Sequence, residues 1–312
     1  MNKLKSMPVR AISALALASA IALAAPSTAT ADPTSPITPV AVSSYDSKIK
    51  NDGTNVYYPT NATGELPVAL LLQGGKVHRQ NYSDYAAEVA SYGFIVVTPN
   101  HKRLNFFDLN YYTSASQIGE TLTWMGDENA NTSSPLHGLI DTDTMVLLGH
   151  SFGGATGLSI AEDKCSIPFC TTLTFDLPSA VKAGSFYGTN NAILGIYPTV
   201  DNQIPVQPSR VSPTAWLNRP RPRAPTTRSR TATSRSSASR VPTTTASPTA
   251  RTPPGAQAET NTQSSTQSAS IETTARWAAL WLRAQLGDTA AANYVYTTGD
   301  AADTAVTVTS AP

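Results

Sequence analysis

The stretch that most constrains this chain is Met145-Val-Leu-Leu-Gly-His-Ser-Phe-Gly-Gly-Ala-Thr-Gly-Leu-Ser-Ile160. A short run of branched apolar residues leads into Gly149-His-Ser-Phe-Gly-Gly154, and a run of small residues leads out. A strand that turns abruptly into a helix through G-x-S-x-G holds its serine in strained backbone geometry and points the hydroxyl outward at the end of the sheet. Gly149 and Gly153 stand where a Cβ would collide with the neighbouring chain. Ser151 is therefore the candidate nucleophile, at a helix N-terminus that favours developing negative charge.

Two more runs match the strand before Ser151. Pro67-Val-Ala-Leu-Leu-Leu72 closes on Gln73-Gly74-Gly75, and Gly93-Phe-Ile-Val-Val97 closes on Thr98-Pro99. Continuous apolar runs this short, bounded by turn residues, read as parallel strands buried on both faces. Tyr85, Ala86, Val89 and Ala90 recur at helical spacing between them, and a second helix is expected near Gln117–Met125. Strand, helix, strand, helix, strand predicts an α/β fold with a mostly parallel central sheet and helices on both faces. Ile37–Ser44 and Asn55–Tyr58 read as an antiparallel edge pair, and Ala192–Tyr197 as the strand after the elbow.

The ends differ in character. Lys3, Lys5 and Arg10 precede an apolar run from Ala11 to Ala25, and Ala29-Thr-Ala31 offers a small-x-small cleavage site, so residues 1–31 read as a signal peptide. Secretion, or export to a periplasm, follows from that reading. In an oxidising compartment Cys165 and Cys170, five apart, are expected to bridge and staple a loop. Residues 32–207 read as the core. From 208 to 252 there are nine Arg but no Lys, Asp or Glu, and Ser, Thr, Pro and Ala fill most of the rest. Residues 253–287 return to core, with Trp277, Leu280, Trp281 and Ala284 on one face of a helix stopped by Gly287. Residues 288–312 form a weakly patterned tail.

An oxyanion hole needs two backbone donors. One is the N–H of Phe152, after the nucleophile. The other is expected in the glycine loop after Leu72, at Gly75, with Lys76 as the alternative. Leu71-Leu-Gln-Gly-Gly75, Tyr82–Asn100 and Gly149–Gly154 together resemble the chlorophyllase-like branch of the α/β hydrolases, which is similar to secreted bacterial cutinases and polyester hydrolases. The resemblance implies the α/β-hydrolase fold and a serine carboxylic-ester hydrolase. It needs no cofactor or metal and acts on a small or polymeric ester. In that family Asp and then His follow the serine, the His in a loop before the last helix.

This chain departs from that order. Its histidines are His78, His101, His137 and His150, all ahead of Ser151. His101 is the alternative base, and the others read as loop or elbow residues. Residues 208–252 occupy the place of the missing Asp and His, and they read as a segment out of frame. Joining the last base of each codon to the first two of the next lets Pro242–Thr249 encode Asn-His-Tyr-Gly-Ile-Thr-Asn, the His straddling Thr243 and Thr244. The same shift lets Pro213–Asn218 encode Asp-Gly-Val-Ala-Glu, the Asp straddling Pro213 and Thr214. A long linker inside one domain fits compact folds poorly. Nucleic-acid binding is not expected without interleaved aromatics, nor is a membrane anchor. The expected state is a monomer.

Overall fold

A computed structural model describes residues 35–105, 107–164, 175–189, 201–211, 235–239 and 266–310. The expected signal peptide, Cys165, Cys170 and positions 213, 214, 243 and 244 lie outside them.

The chain opens with the hairpin β1 (Val42–Ile49) and β2 (Asp52–Pro59). Its first strand starts five residues later than the alternation from Ile37 predicts. β3 (Leu66–Leu72), α1 (Ser83–Ser91) and β4 (Ile95–Pro99) follow as a strand–helix–strand unit. A small separate hairpin, β5 (Lys102–Asn105) and β6 (Asp108–Tyr111), leads to α2 (Ser116–Ala130). β7 (Ile140–His150) runs into α3 (Phe152–Ala161), and β8 (Val181–Tyr187) and β9 (Val206–Val211) come next. β10 (Arg235–Ser239) precedes α4 (Gln267–Gln285), α5 (Thr289–Asn293), a π turn, α6 (Gly299–Ala302) and β11 (Val306–Ser310).

Among the described residues nine strands form one sheet in the order β1-β2-β4-β3-β7-β8-β9-β10-β11. Neighbours from β4 to β10 are parallel, and antiparallel strands close both ends. The parallel centre explains the continuous apolar runs. Ala69, Leu71, Val96, Val146 and Leu148 face α1 and α4, with Tyr85, Val89, Trp277 and Trp281. Val68, Leu70, Leu72, Ile95, Val97 and Leu147 face the other way, onto Ile118, Met125 and Ile160. Both faces are dry, so no polar alternation survives in β3 or β4. This is the α/β-hydrolase architecture.

One expectation needs correction. The strand after the elbow is Val181–Tyr187, while Ala192–Tyr197 lies outside the described residues. Two stretches of the basic 208–252 segment are strands: the end of β9, and β10, which pairs Ala238 with Arg210 and Ser239 with Val211. Sheet pairing is backbone hydrogen bonding, so Arg-Ser-Ser-Ala-Ser can pair between β9 and β11 without an apolar pattern. The tail is also more regular than its sequence implies. Asp303 reaches back to accept hydrogen bonds from Arg276 Nη2 at 3.0 Å and Trp277 Nε1 at 2.7 Å.

That buried pair bears on Glu88 of α1, which burial, with Glu272 nearby and against the pull of Arg276, pushes up to about 7. A carboxyl protonated in the folded chain but ionised in the unfolded one favours folding most below its ordinary value of 4.5, and that contribution is lost as pH rises toward 7. Glu88→Gln keeps the shape without the charge. Its melting temperature relative to the parent is expected to rise between pH 5 and pH 8; a difference independent of pH would contradict the assignment.

Candidate active site

Ser151 sits between the last residue of β7 and the first of α3, with φ 51° and ψ −117°. A non-glycine residue in that region is strained, and the surrounding bonds hold it. Its N–H donates to Tyr187 O at 3.1 Å, and its carbonyl accepts from Ala155 N–H at 3.1 Å. The close approach around it requires Gly153. A Cβ there would lie 2.0 Å from Leu72 O and 2.6 Å from Gln73 O, both backbone atoms of the glycine loop. Helix α3 thus packs its first turn directly on the end of β3.

The two expected oxyanion residues are brought together. A Cβ on Gly75 would stand 3.6 Å from Phe152 Cβ and 3.1 Å from Tyr112 Cε1. Lys76 is differently engaged: its N–H donates to Tyr111 O at 2.7 Å, and its ammonium pairs with Asp108 at 2.8 Å. The backbone donor of Lys76 is committed, which favours Gly75 over the alternative. The Phe152 ring meets Tyr112 edge-on, with centroids 5.3 Å apart, and Arg103 lies 5.7 Å over it.

The glycine loop is tied down by residues the sequence did not single out. Gly74 N–H donates to Tyr82 Oη at 2.7 Å, and Tyr82 Oη lies 3.1 Å from His150 Nδ1. One hydroxyl proton serves one acceptor, so Tyr82 accepts from Gly74 and donates to His150, whose proton then sits on Nε2. Burial pushes His150 down to about 4, and its ring stacks on Tyr187 at 4.9 Å. His150 is a neutral structural acceptor.

Tyr82→Phe removes that acceptor and leaves the Gly74 N–H and His150 Nδ1 buried without partners. A loss of about 1–3 kcal/mol is expected in denaturant unfolding, with faster hydrogen exchange at Gly74. Unchanged exchange at Gly74 would mean that the loop is held by other bonds.

His101, the alternative base, is tied to β2. Its Nδ1 lies 2.7 Å from Asp52 Oδ2, at the start of β2. Its backbone N–H donates to Gln73 Oε1 at 3.2 Å and its carbonyl accepts from Tyr112 N–H at 3.1 Å. Asp52, His101 and Glu120 do bring ligand atoms within 4.8 Å of one another, but Glu120 already pairs with Lys50 at 2.9 Å. His78 binds Asn100 and caps a short 3₁₀ turn, and His137 is exposed with Nδ1 2.9 Å from Asn129 O.

β8, β9 and β10 run parallel to β7, so their C-terminal ends share one edge of the sheet with Ser151. Position 213 follows the end of β9 by two residues, and position 243 follows the end of β10 by four.

Residues 24–175 match a family described as PET hydrolase-like. Chlorophyllase-1 of Arabidopsis thaliana is 28% identical over 118 residues, a match covering 36% of this chain and 36% of the relative. The family likeness is to chlorophyllases and polyester hydrolases. Both point to the carboxylic-ester hydrolases, and the α/β-hydrolase fold agrees with them. The chain spans only about a third of the length of the curated relative it matches, 36%.

Proposed function

We propose that the chain derives from a secreted serine carboxylic-ester hydrolase that works through an acyl-enzyme on Ser151, and that the Asp and His completing its site are lost from residues 208–252. The observation that carries the reading is the strained Ser151 at the β7–α3 turn, with Gly75 held against Phe152. Ser151 Oγ attacks the ester carbonyl while the Phe152 and Gly75 N–H groups hold the developing oxyanion. The tetrahedral intermediate expels the alcohol, and water then releases the acid from Ser151. Each step moves a proton that a His, oriented by an Asp, carries in the restored site. The substrate is a small or polymeric ester; neither cofactor nor nucleic acid takes part, and the chain acts as a monomer.

A second reading is favoured by the histidine positions. His101 is bonded to Asp52 and His150 to Tyr82, and in this reading the chain as written is a fold that has kept its nucleophile without the means to activate it. Hydrolysis of a short-chain chromogenic ester separates the readings. The chain as written, its Ser151→Ala variant and a version with 208–252 restored to the shifted frame are compared. An inactive restored version sinks the triad assignment; Ser151-dependent turnover by the chain as written requires another base.

A further inference from the structure

The β5–β6 hairpin is amphipathic, and it is turned the wrong way round for a surface element. Its register pairs Lys102 with Tyr111, Arg103 with Asn110, Leu104 with Leu109 and Asn105 with Asp108. Alternation therefore puts Lys102, Leu104, Leu109 and Tyr111 on one face, and Arg103, Asn105, Asp108 and Asn110 on the other. The polar face is the one that meets the protein. Arg103 Nε donates to Thr113 O at 2.8 Å and its guanidinium lies over Phe152, while Asp108 accepts from Tyr112 Oη at 2.9 Å and pairs with Lys76. The apolar face meets water. Leu104 is 61% exposed, Leu109 71% and Phe107, at the tip, 99%.

Single exposed leucines are ordinary, but three large apolar side chains on one short hairpin, with its polar side inward, form a patch. The tip is also held at a conformational cost. Phe107 has φ 67°, a region that bulky residues rarely take. No exposed asparagine or glycine relieves that turn, so the chain keeps an aromatic ring outermost there.

Charge identifies the occupant. Lys102 shares the outward face with Leu104 and Leu109, its Nζ 5.0 Å over the Tyr111 ring, and the alternation puts no carboxylate of β5 or β6 on that face. An unopposed cation beside an apolar tip matches an interface of acyl chains beneath anionic headgroups. A second copy of this chain is a worse fit. Pairing the patches would bring Lys102 toward its own copy. We propose that the β5–β6 hairpin docks the protein on an anionic lipid surface, with Phe107 entering the acyl region beside the elbow. The hairpin reaches the elbow through Arg103 and Phe152, so docking would hold the elbow close to the lipid. The inference needs no turnover and stands apart from the ester-hydrolase reading.

The test uses the full chain carrying Ser151→Ala, with vesicles of phosphatidylglycerol or phosphatidylcholine. In Phe107→Trp the added indole reports from the tip as the difference from the same chain without it, since four native tryptophans also emit. Its emission is expected to shift to the blue and be quenched by brominated acyl chains on the anionic vesicles, and to lose that response at high salt. Adding Leu104→Ser and Leu109→Ser should weaken the response about tenfold or more without moving the melting temperature, because both side chains are exposed. No quenching on either vesicle overturns the proposal. Equal quenching on neutral vesicles overturns the anionic assignment. A dimer in solution that Leu104→Ser and Leu109→Ser dissolve would make the occupant a second copy instead.

Discussion

Restoring the shifted frame across residues 208–252 is expected to raise hydrolysis of a short-chain chromogenic ester by roughly 10⁴–10⁶-fold over the chain as written. The size follows from how a serine site divides its work. A hydroxyl at its ordinary pKa is a poor nucleophile, and losing the base costs nearly as much as losing the whole triad. What survives is stabilisation of the oxyanion, a residual of roughly 10³–10⁴ over water in such sites. The chain as written should therefore show a weak rate, barely sensitive to Ser151→Ala. In the restored chain Ser151→Ala should abolish the gain. The restored chain should also lose activity as pH falls through the ordinary range of a histidine, a limb that the chain as written lacks. Sequencing of the gene across codons 200–255 supplies an independent check, since an uninterrupted frame without compensating indels leaves the restoration without a basis.

The second large effect concerns folding. Gly153→Ala should destabilise the protein by about 3 kcal/mol or more, at the upper end of what overpacking costs. The new methyl would stand 2.0 Å from the Leu72 carbonyl oxygen and 2.5 Å from its carbon. Neither atom belongs to a side chain that can swing aside. To relieve the clash α3 must lift from the end of β3, which separates Phe152 from Gly75. Chemical denaturation read by tryptophan fluorescence would give the loss directly. Gly126→Ala supplies the control, because a Cβ there meets nothing within 4 Å. A Gly153→Ala variant as stable as Gly126→Ala would mean that α3 is not packed on the strand.

Which parts of this arrangement were legible in the sequence follows from how each element buries itself. β3, β4 and β7 are covered on both faces, so their apolar runs announce them, and the elbow announces itself by its glycines. β8 hides because Val181-Lys-Ala-Gly-Ser-Phe-Tyr mixes in small and polar residues. Gly184 leaves room for the Phe186 ring, and Ser185 donates to Gln207 on β9 at 2.8 Å. Those are packing reasons visible only once the neighbours are known. The outward hairpin escaped notice because its leucines point to water, where periodicity has no core to report. His150 was legible as an elbow residue but not as the acceptor for Tyr82, since 68 residues separate them. The tail looked unpatterned because its anchors are scattered: Ala291, Tyr294, Val295 and Val306 join the core, and Asp303 adds two hydrogen bonds to α4.

Helix α4 completes the face of the sheet that α1 begins, although Val211 and Gln267 bound a long intervening stretch of unusual composition. Polymer statistics make that separation tolerable. The entropy lost on closing a loop grows only with the logarithm of its length, about 0.6 kcal/mol for each doubling. Time is the dearer quantity, because contacts distant along the chain slow folding. During synthesis the first half emerges with α1 and the sheet exposed, and Trp277 and Trp281 arrive only near the end. The nascent protein therefore carries an uncovered apolar face through most of its own translation, and it is in that interval that chaperones have their best purchase on it.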